Sequence, residues 1–264
     1  MQMPTIDPVF LRLGPLEFRW YGLMYILGFL AAFFIIKSQT KKRAIDLSSE
    51  TLSDIVFMIA LGIVLGGRAG YILFYNLAWY LSHPLKVFAV WEGGMSFHGG
   101  IIGGVIAGIY VIRKNRLDLW IMADIVALTI PVGLGLGRLG NFINGELYGR
   151  VTDQTWGVVF PAGGNLPRHP SQLYEAFLEG VVLLLLTWGV SRTAPPKSVP
   201  FWTVICGYGL FRFCVEFFRE PDQQLGFLWG GATMGQLLSL PMFILGLIMI
   251  IYGYRRQKAL NQAA

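Results

Sequence analysis

Charged side chains are scarce in this sequence. Only 14% of its 264 residues are Asp, Glu, Lys or Arg, where a soluble domain carries about 25%. That scarcity excludes an ordinary water-solvated surface. Cysteine is scarcer still: Cys206 and Cys214 are the only two, eight residues apart in one apolar run. On a helix that spacing amounts to about 12 Å, too far for a disulfide without unwinding. Both are therefore read as packing residues. No cluster of residues has metal-ligand spacing, and neither a metal nor a cofactor is expected. The start, MQMPTIDPVFLRLGPLEF, lacks the basic stretch, apolar core and small-residue cleavage site of a secretory leader, so no cleavable leader is expected.

What is abundant is apolar sequence. Hydrophobic residues make up 55% of the chain, in runs such as WYGLMYILGFLAAFFII (Trp20–Ile36) and VPFWTVICGYGLF (Val199–Phe211). About 20 residues rising 1.5 Å each cross a hydrocarbon core of about 30 Å. The fold class read from this pattern is an all-α integral membrane protein. It is a single polytopic domain over 1–264, with seven transmembrane helices at about 18–36, 54–76, 97–112, 119–137, 172–190, 199–218 and 231–253.

Alternate loops are basic: Lys37, Lys41, Lys42 and Arg43; Arg113, Lys114 and Arg116; Arg192 and Lys197; Arg255, Arg256 and Lys258. By the positive-inside rule these face the cytoplasm, so the C-terminus lies inside. The N-terminus and the loops at about 77–96, 138–171 and 219–230 then face outward. Trp79, Tyr80, Trp91, Tyr148, Trp156 and Trp229 give these outer loops an interfacial aromatic belt. The net charge of +6 belongs to the inner loops, and no nucleic acid partner is expected. The 33 glycines recur closely in LGIVLGGRAGY and GGIIGGVIAG, where small residues let helix backbones approach.

Against this background, ionisable residues inside the spans stand out. Arg68, Asp124, Arg212 and Glu216 lie within them, with His98 and Arg138 near span ends. Each costs at least about 2.5–3.5 kcal/mol at mid-membrane and requires a partner, a wet cavity or a function. The topology brings Arg68, Arg212, His98, Arg138 and Tyr21 to one outer layer, which predicts an outward-facing polar cavity. Simpler uses stay open for each. Arg212 and Glu216, four apart, can neutralise each other. Arg68 can snorkel or bond carbonyls of a glycine-rich neighbour, and Asp124 can pair with Arg68 or another arginine. His98 can be a satisfied interfacial histidine, and His83 and His169 are read as structural.

The stretch GRLGNFINGELYG (Gly137–Gly149) concentrates the signal. Its glycines permit tight turns and close backbone approach. Arg138 offers a planar fork suited to phosphate, while Asn141, Asn144 and Glu146 supply hydrogen bonds and a counter-charge. Read on its residues alone, this is a pocket for an anionic headgroup, with phospholipid the obvious ligand.

The same stretch closely resembles the signature of the prolipoprotein diacylglyceryl transferase family. FRWYGLMY, GGRAGYILFYN, SFHGG, HPSQLYEA and YGLFRFCVEFFREPD resemble further blocks of that family, in its order and over nearly the whole chain. The resemblance implies a multi-pass enzyme of the bacterial inner membrane with its active site toward the periplasm. Its partners would be phosphatidylglycerol and a prolipoprotein signal peptide carrying a lipobox cysteine. The diacylglyceryl group would pass to that cysteine thiol, forming a thioether and releasing glycerol 1-phosphate, the first step of lipoprotein maturation.

In that chemistry Arg138 and Arg212 would stabilise the departing phosphate, with Arg68 a third candidate. His98 would take the thiol proton. Tyr21, Asn141, Asn144, Glu146, Tyr208 and Glu216 would bind the headgroup or orient the arginines, and Gly149 would permit a turn. Two other classes compete. A lipid or anion transporter would carry polar residues through the full membrane depth, yet the inner halves are apolar. A non-catalytic scaffold leaves the clustered outer charge unexplained.

Overall fold

The computed structural model describes every residue except 5, 15, 222–225 and 264, and only the backbone of 16, 92 and 229. The chain divides into two compact units, Ile36–Met122 and Met1–Ile35 with Ala123–Ala264. It is mostly helical, in the order β1 (Val9–Leu13), β2 (Leu16–Arg19), α1 (Trp20–Lys42), α2 (Ser49–Tyr75), α3 (Leu77–Ser82), α4 (Phe97–Lys114), α5 (Leu119–Ala127), α6 (Ile130–Asn144), α7 (Ser171–Glu175), a π-helical stretch (Ala176–Val182), α8 (Leu183–Arg192), α9 (Val199–Val215) and α10 (Met234–Ala263). Among the described residues, five helical segments are long and apolar enough to cross a membrane: Trp20–Lys42, Ser49–Tyr75, Leu119–Asn144, Ser171–Arg192 and Met234–Ala263. Val199–Val215 is a shorter apolar helix. The chain is a multi-pass membrane protein.

The helical content agrees with an all-α membrane protein, to which the chain adds at its start a small antiparallel hairpin of β1 and β2. Gly14 takes the left-handed conformation at its turn, φ 59°, which a glycine adopts without penalty. The Phe10 and Phe18 rings of the hairpin lie 6.4 Å apart, and Phe10 also meets Trp20, at the start of α1, at 5.2 Å.

In the unit of residues 36–122, α2 and α4 run antiparallel in close contact. A Cβ on Gly66 would overlap the Gly99 carbonyl, and one on Gly62 the Gly103 carbonyl. The glycine repeats therefore do what their spacing predicts: without side chains between them, the two backbones touch and gain dispersion contacts that lipid cannot supply.

In the other unit, α9 lies against α10 by the same means, with Gly246 seated on Cys206 and Gly209 on the backbone of Ser239 and Phe243. Cys206 thus packs as expected, whereas Cys214 is exposed; both thiols are free. Ala127, Leu183 and Val204 form a buried core that Ile130, Phe201, Tyr208 and Phe211 complete.

The helix expected to end near residue 137 continues to Asn144, after a break at Leu128–Thr129. Pro131 causes the break. It has no N–H, and its ring clashes with the carbonyl four residues back. The chain answers with a tighter turn, in which the Leu128 and Thr129 amides donate to Ile125 and Val126 at 3.2 and 2.8 Å. Asp124, for which the sequence leaves a structural pairing with an arginine open, holds the start of α9. Its carboxylate accepts the Ser198 amide at 2.9 Å and the Phe201 amide at 3.1 Å, where the helix dipole favours negative charge.

Candidate active site

The site starts at the end of α6. Gly145 adopts φ 66°, and its amide donates back to the Asn141 and Phe142 carbonyls. The Glu146 amide also donates to the Asn141 carbonyl, at 3.1 Å. A left-handed glycine in this position closes a helix by satisfying its last carbonyls. Arg138, Asn141 and Asn144 are therefore presented by a helix, not by the irregular loop expected from residue 138 onward.

Just past the glycine, the chain turns Glu146 back onto the helix. Asn141 Nδ2 donates to Glu146 Oε1 at 2.9 Å, and Asn144 Nδ2 to the same oxygen at 3.2 Å. The Glu146 carbonyl accepts from Gln172 Nε2 at 2.6 Å, which ties the turn to α7. Tyr21 covers the same end of α6, its ring where a Cβ of Gly140 would lie.

Beneath this turn lies a buried ionic cluster. Arg138 Nε is 2.9 Å from Glu175 Oε2 and 3.7 Å from Glu179 Oε2. Arg212 donates through Nη1 to Glu175 Oε1, and its Nη2 sits 2.8 Å from Glu216 Oε2. Arg219 Nη1 reaches Glu175 Oε1 at 3.3 Å. Glu175 thus collects three guanidinium groups and, with Glu179, is wholly buried. Glu216 is also buried and accepts from Thr233 Oγ1 at 3.0 Å. Tyr208, one turn before Arg212 on α9, lies within electrostatic range of Glu179, Arg212 and Arg138.

The arginines are not equivalent. Arg212 has one terminal nitrogen on each of two carboxylates. Arg138 is held by its Nε, and neither of its Nη atoms has a hydrogen-bond partner among the described residues. With 15% of its side chain exposed, Arg138 offers the free edge of a guanidinium fixed from behind. Such an edge is preorganised for two parallel bonds to a phosphate or carboxylate.

Glu175, Glu179 and Arg219 escaped the sequence reading. The signal was present: EAFLEGVVLLLL places two acids four apart inside an apolar run, where ionisable residues are expensive. Arg219 was harder to see, since it lies just beyond α9.

Arg68 lies in the unit of residues 36–122 and is almost wholly occupied by backbone. Its Nε donates to the Val87 carbonyl at 2.9 Å, Nη1 to Gly93 and Gly94 at 2.5 and 3.2 Å, and Nη2 to Lys86 at 2.5 Å. The guanidinium also stands 5.1 Å from the centre of the Tyr80 ring. Of the two uses considered for it, bonding carbonyls describes this geometry. His98 lies in the same unit, exposed on the first turn of α4, with Ser96 capping that helix by accepting the Gly99 amide at 3.2 Å.

Gly149 lies in an isolated antiparallel bridge with Arg219, and its φ is not positive. It is needed for close approach. Its amide donates to the His169 carbonyl at 2.8 Å, and a Cβ would overlap the Phe218 carbonyl. Of the two remaining histidines, His169 shares a hydrogen bond of 3.1 Å with Tyr174 Oη, and burial holds its pKa below the usual histidine range, partly opposed by Asp153. His83 stacks on Trp79 at 4.5 Å.

The chain matches the family model described as prolipoprotein diacylglyceryl transferase over residues 8–252. A relative from Geobacter sulfurreducens, a phosphatidylglycerol–prolipoprotein diacylglyceryl transferase, is 64% identical over 257 residues, covering 97% of this chain and 99% of its own. Proteins of the same name from Vibrio parahaemolyticus and Desulfotalea psychrophila are 50% and 47% identical, each covering 97% of this chain and 94% and 96% of their own. Together with the buried arginine–glutamate cluster around the Gly137–Gly149 signature, these matches establish that the chain belongs to the prolipoprotein diacylglyceryl transferase family.

Proposed function

We propose that the chain transfers the diacylglyceryl group of phosphatidylglycerol to the lipobox cysteine thiol of a prolipoprotein, forming a thioether and releasing glycerol 1-phosphate. The observation that carries this reading is the Arg138 guanidinium. It is anchored by Glu175 through Nε and presents an unbonded edge suited to the phosphodiester of an anionic lipid. The names of the relatives at 47–64% identity supply the two substrates.

In this reading the sulfur attacks the glyceryl carbon. The carbon–oxygen bond breaks with its electron pair on the phosphate oxygen, so negative charge grows next to Arg138. A donor already held in place stabilises that growing charge more than the ground state and lowers the barrier. Arg212 and Arg219, through Glu175, keep Arg138 at the correct angle and add positive potential. Asn141, Asn144 and Glu146 hold the turn over the headgroup, with Tyr21 and Tyr208 flanking it. Glu216 keeps Arg212 in place, and Arg68 orders the segment 86–94. The thiol, with an unperturbed pKa of about 8.5, is mostly protonated at neutral pH, and His98 is the base assigned to it.

The membrane arrangement that goes with this chemistry has seven crossings: α1, α2, α4, α5–α6, α7–α8, α9 and α10. Basic residues in the last turns of α1, α4 and α8 support an inner face at those ends. The lipid-binding cavity then opens toward the periplasm from the bacterial inner membrane.

The test uses the purified chain with phosphatidylglycerol and a lipobox peptide. The peptide mass should rise by one diacylglyceryl group as glycerol 1-phosphate appears, and a Cys→Ser peptide should stay unmodified. Absence of the adduct with the cysteine peptide would overturn the reading.

A further inference from the structure

One buried acid has no use in the reaction as described so far. Glu179 is wholly buried, and neither of its carboxyl oxygens has a hydrogen-bond partner among the described residues. Its nearest cation is Arg138, at 3.7 Å through Nε, a nitrogen that lies closer to Glu175 Oε2, at 2.9 Å. The charged groups whose fields reach Glu179 are Arg138 on α6, Glu175 on α7, Arg212 on α9 and Arg219 beyond it, with the Tyr208 hydroxyl also in range. Glu179 itself sits in the π-helical stretch Ala176–Val182, a backbone irregularity that concentrates at functional sites.

Charge balance then makes a demand. With every acid ionised, Arg138, Arg212 and Arg219 face Glu175, Glu179 and Glu216, and the cluster is neutral. Counted over these six side chains, a neutral cluster attracts a lipid phosphodiester only through the local edge of Arg138. With Glu179 as the neutral acid, three guanidinium groups face two carboxylates, and the single positive charge left over matches a phosphodiester monoanion. Local energetics favour the same state. An ionised carboxylate with no donor, buried away from water, is the costly form, whereas the acid buries far less charge.

We propose that Glu179 is held as a neutral acid and donates its proton to the departing glycerol phosphate. This rests on the transferase reading above. As the carbon–sulfur bond forms and the carbon–oxygen bond breaks, the diester monoanion would become a monoester dianion. The Glu179 O–H proton passes, through one bridging water, to a phosphate oxygen held at Arg138, so the product leaves as a monoanion. Glu179, now ionised, makes the cluster neutral and weakens its hold on the product. The proton released by the thiol restores the acid through solvent, and the overall reaction neither gains nor loses a proton. Glu179 so links headgroup binding, leaving-group chemistry and product release.

The experiment compares wild type, Glu179→Gln and Glu179→Asp in detergent, measuring kcat and KM for phosphatidylglycerol from about pH 5 to 10, with thermal unfolding as the check on folding. Glutamine is neutral and nearly isosteric but has no acidic proton. KM at neutral pH is expected to stay near wild type in E179Q, while kcat falls roughly 10²-fold, the usual contribution of a general acid. Wild-type KM should rise on the alkaline side as the acid ionises, and E179Q should lose that rise. E179D, which keeps an acid, should recover part of kcat together with the alkaline limb.

A folded E179Q with kcat near wild type, or an alkaline KM limb that persists in it, overturns the proposal. If E179Q does not fold, the decision passes to wild type and E179D: a wild-type profile without an alkaline limb overturns the proposal, and a limb displaced in E179D supports it. Failure of wild type to modify the cysteine peptide would instead overturn the transferase reading itself.

Discussion

Arg68 and Arg138 are both arginines set in apolar helices, and the molecule uses them in opposite ways. Arg68 points its donors at four backbone carbonyls of the segment 86–94. Carbonyls carry no net charge, so the guanidinium is satisfied and committed, and it works as a clamp on a loop. Arg138 is held by Nε against Glu175, while its terminal nitrogens stay open. The lesson is that a costly cation inside a membrane protein marks a binding site only when part of its donor set is left free. A carboxylate behind the guanidinium achieves this, because it fixes orientation through one edge and leaves the other for a ligand.

That contrast can be broken by substitution, and the largest effect is expected at the anchor. Glu175→Gln removes the charge that three guanidinium groups share. Breaking a buried pair in this way should cost about 3–5 kcal/mol, read as a lower thermal midpoint in detergent; an unchanged midpoint would show that Glu175 does not organise the cluster.

Next comes the free edge itself. Arg138→Lys keeps the charge and loses the fork, and kcat should fall about 10²–10³-fold, or about 2.7–4 kcal/mol of transition-state stabilisation, with little change in unfolding. The assay is release of glycerol 1-phosphate. Full turnover in the lysine variant would make Arg138 as structural as Arg68.

On the other side of the comparison, Arg68→Lys should behave in reverse. One ammonium cannot reach four carbonyls, so stability should drop by about 2–3 kcal/mol while turnover per folded molecule is preserved. A stable Arg68→Lys protein with lost turnover would erase the distinction between the two arginines. The smallest effect is expected at Asp124→Ala. It removes the cap of α9 and should lower stability by about 1 kcal/mol, again measured by thermal unfolding, without altering the affinity for phosphatidylglycerol.

Much of this was legible before any coordinates. The apolar runs announced most of the long helices, because period and length are local properties of a sequence. The glycine repeats of residues 62–70 and 99–103 announced close helix contact for the same reason. The end of α6 was misplaced by seven residues. The glycines of that stretch suggest tight turns, but packing against Tyr21 and the closing turn at Gly145 keep the segment helical. The hairpin of residues 9–19 was missed beside so strong a helical signal. Of the site, Arg138, Arg212, Glu216 and the Asn141–Glu146 turn were visible from residue type. Glu175 and Glu179 stand out as two costly acids four apart in an apolar run, but the run gives no hint of which cations will meet them.

By itself the sequence determined the solvent, the helical character and the family, since each follows from composition or from the order of residues along the chain. Only the tertiary structure decided which charges meet: that one glutamate gathers three arginines, that Arg68 is tied to backbone, and that Glu179 has no hydrogen-bond donor among the described residues. Those outcomes depend on contacts between segments as far apart as residues 138, 175 and 212. Electrostatic pairing falls off over a few ångströms, so such distances are set by packing and not by position in the chain.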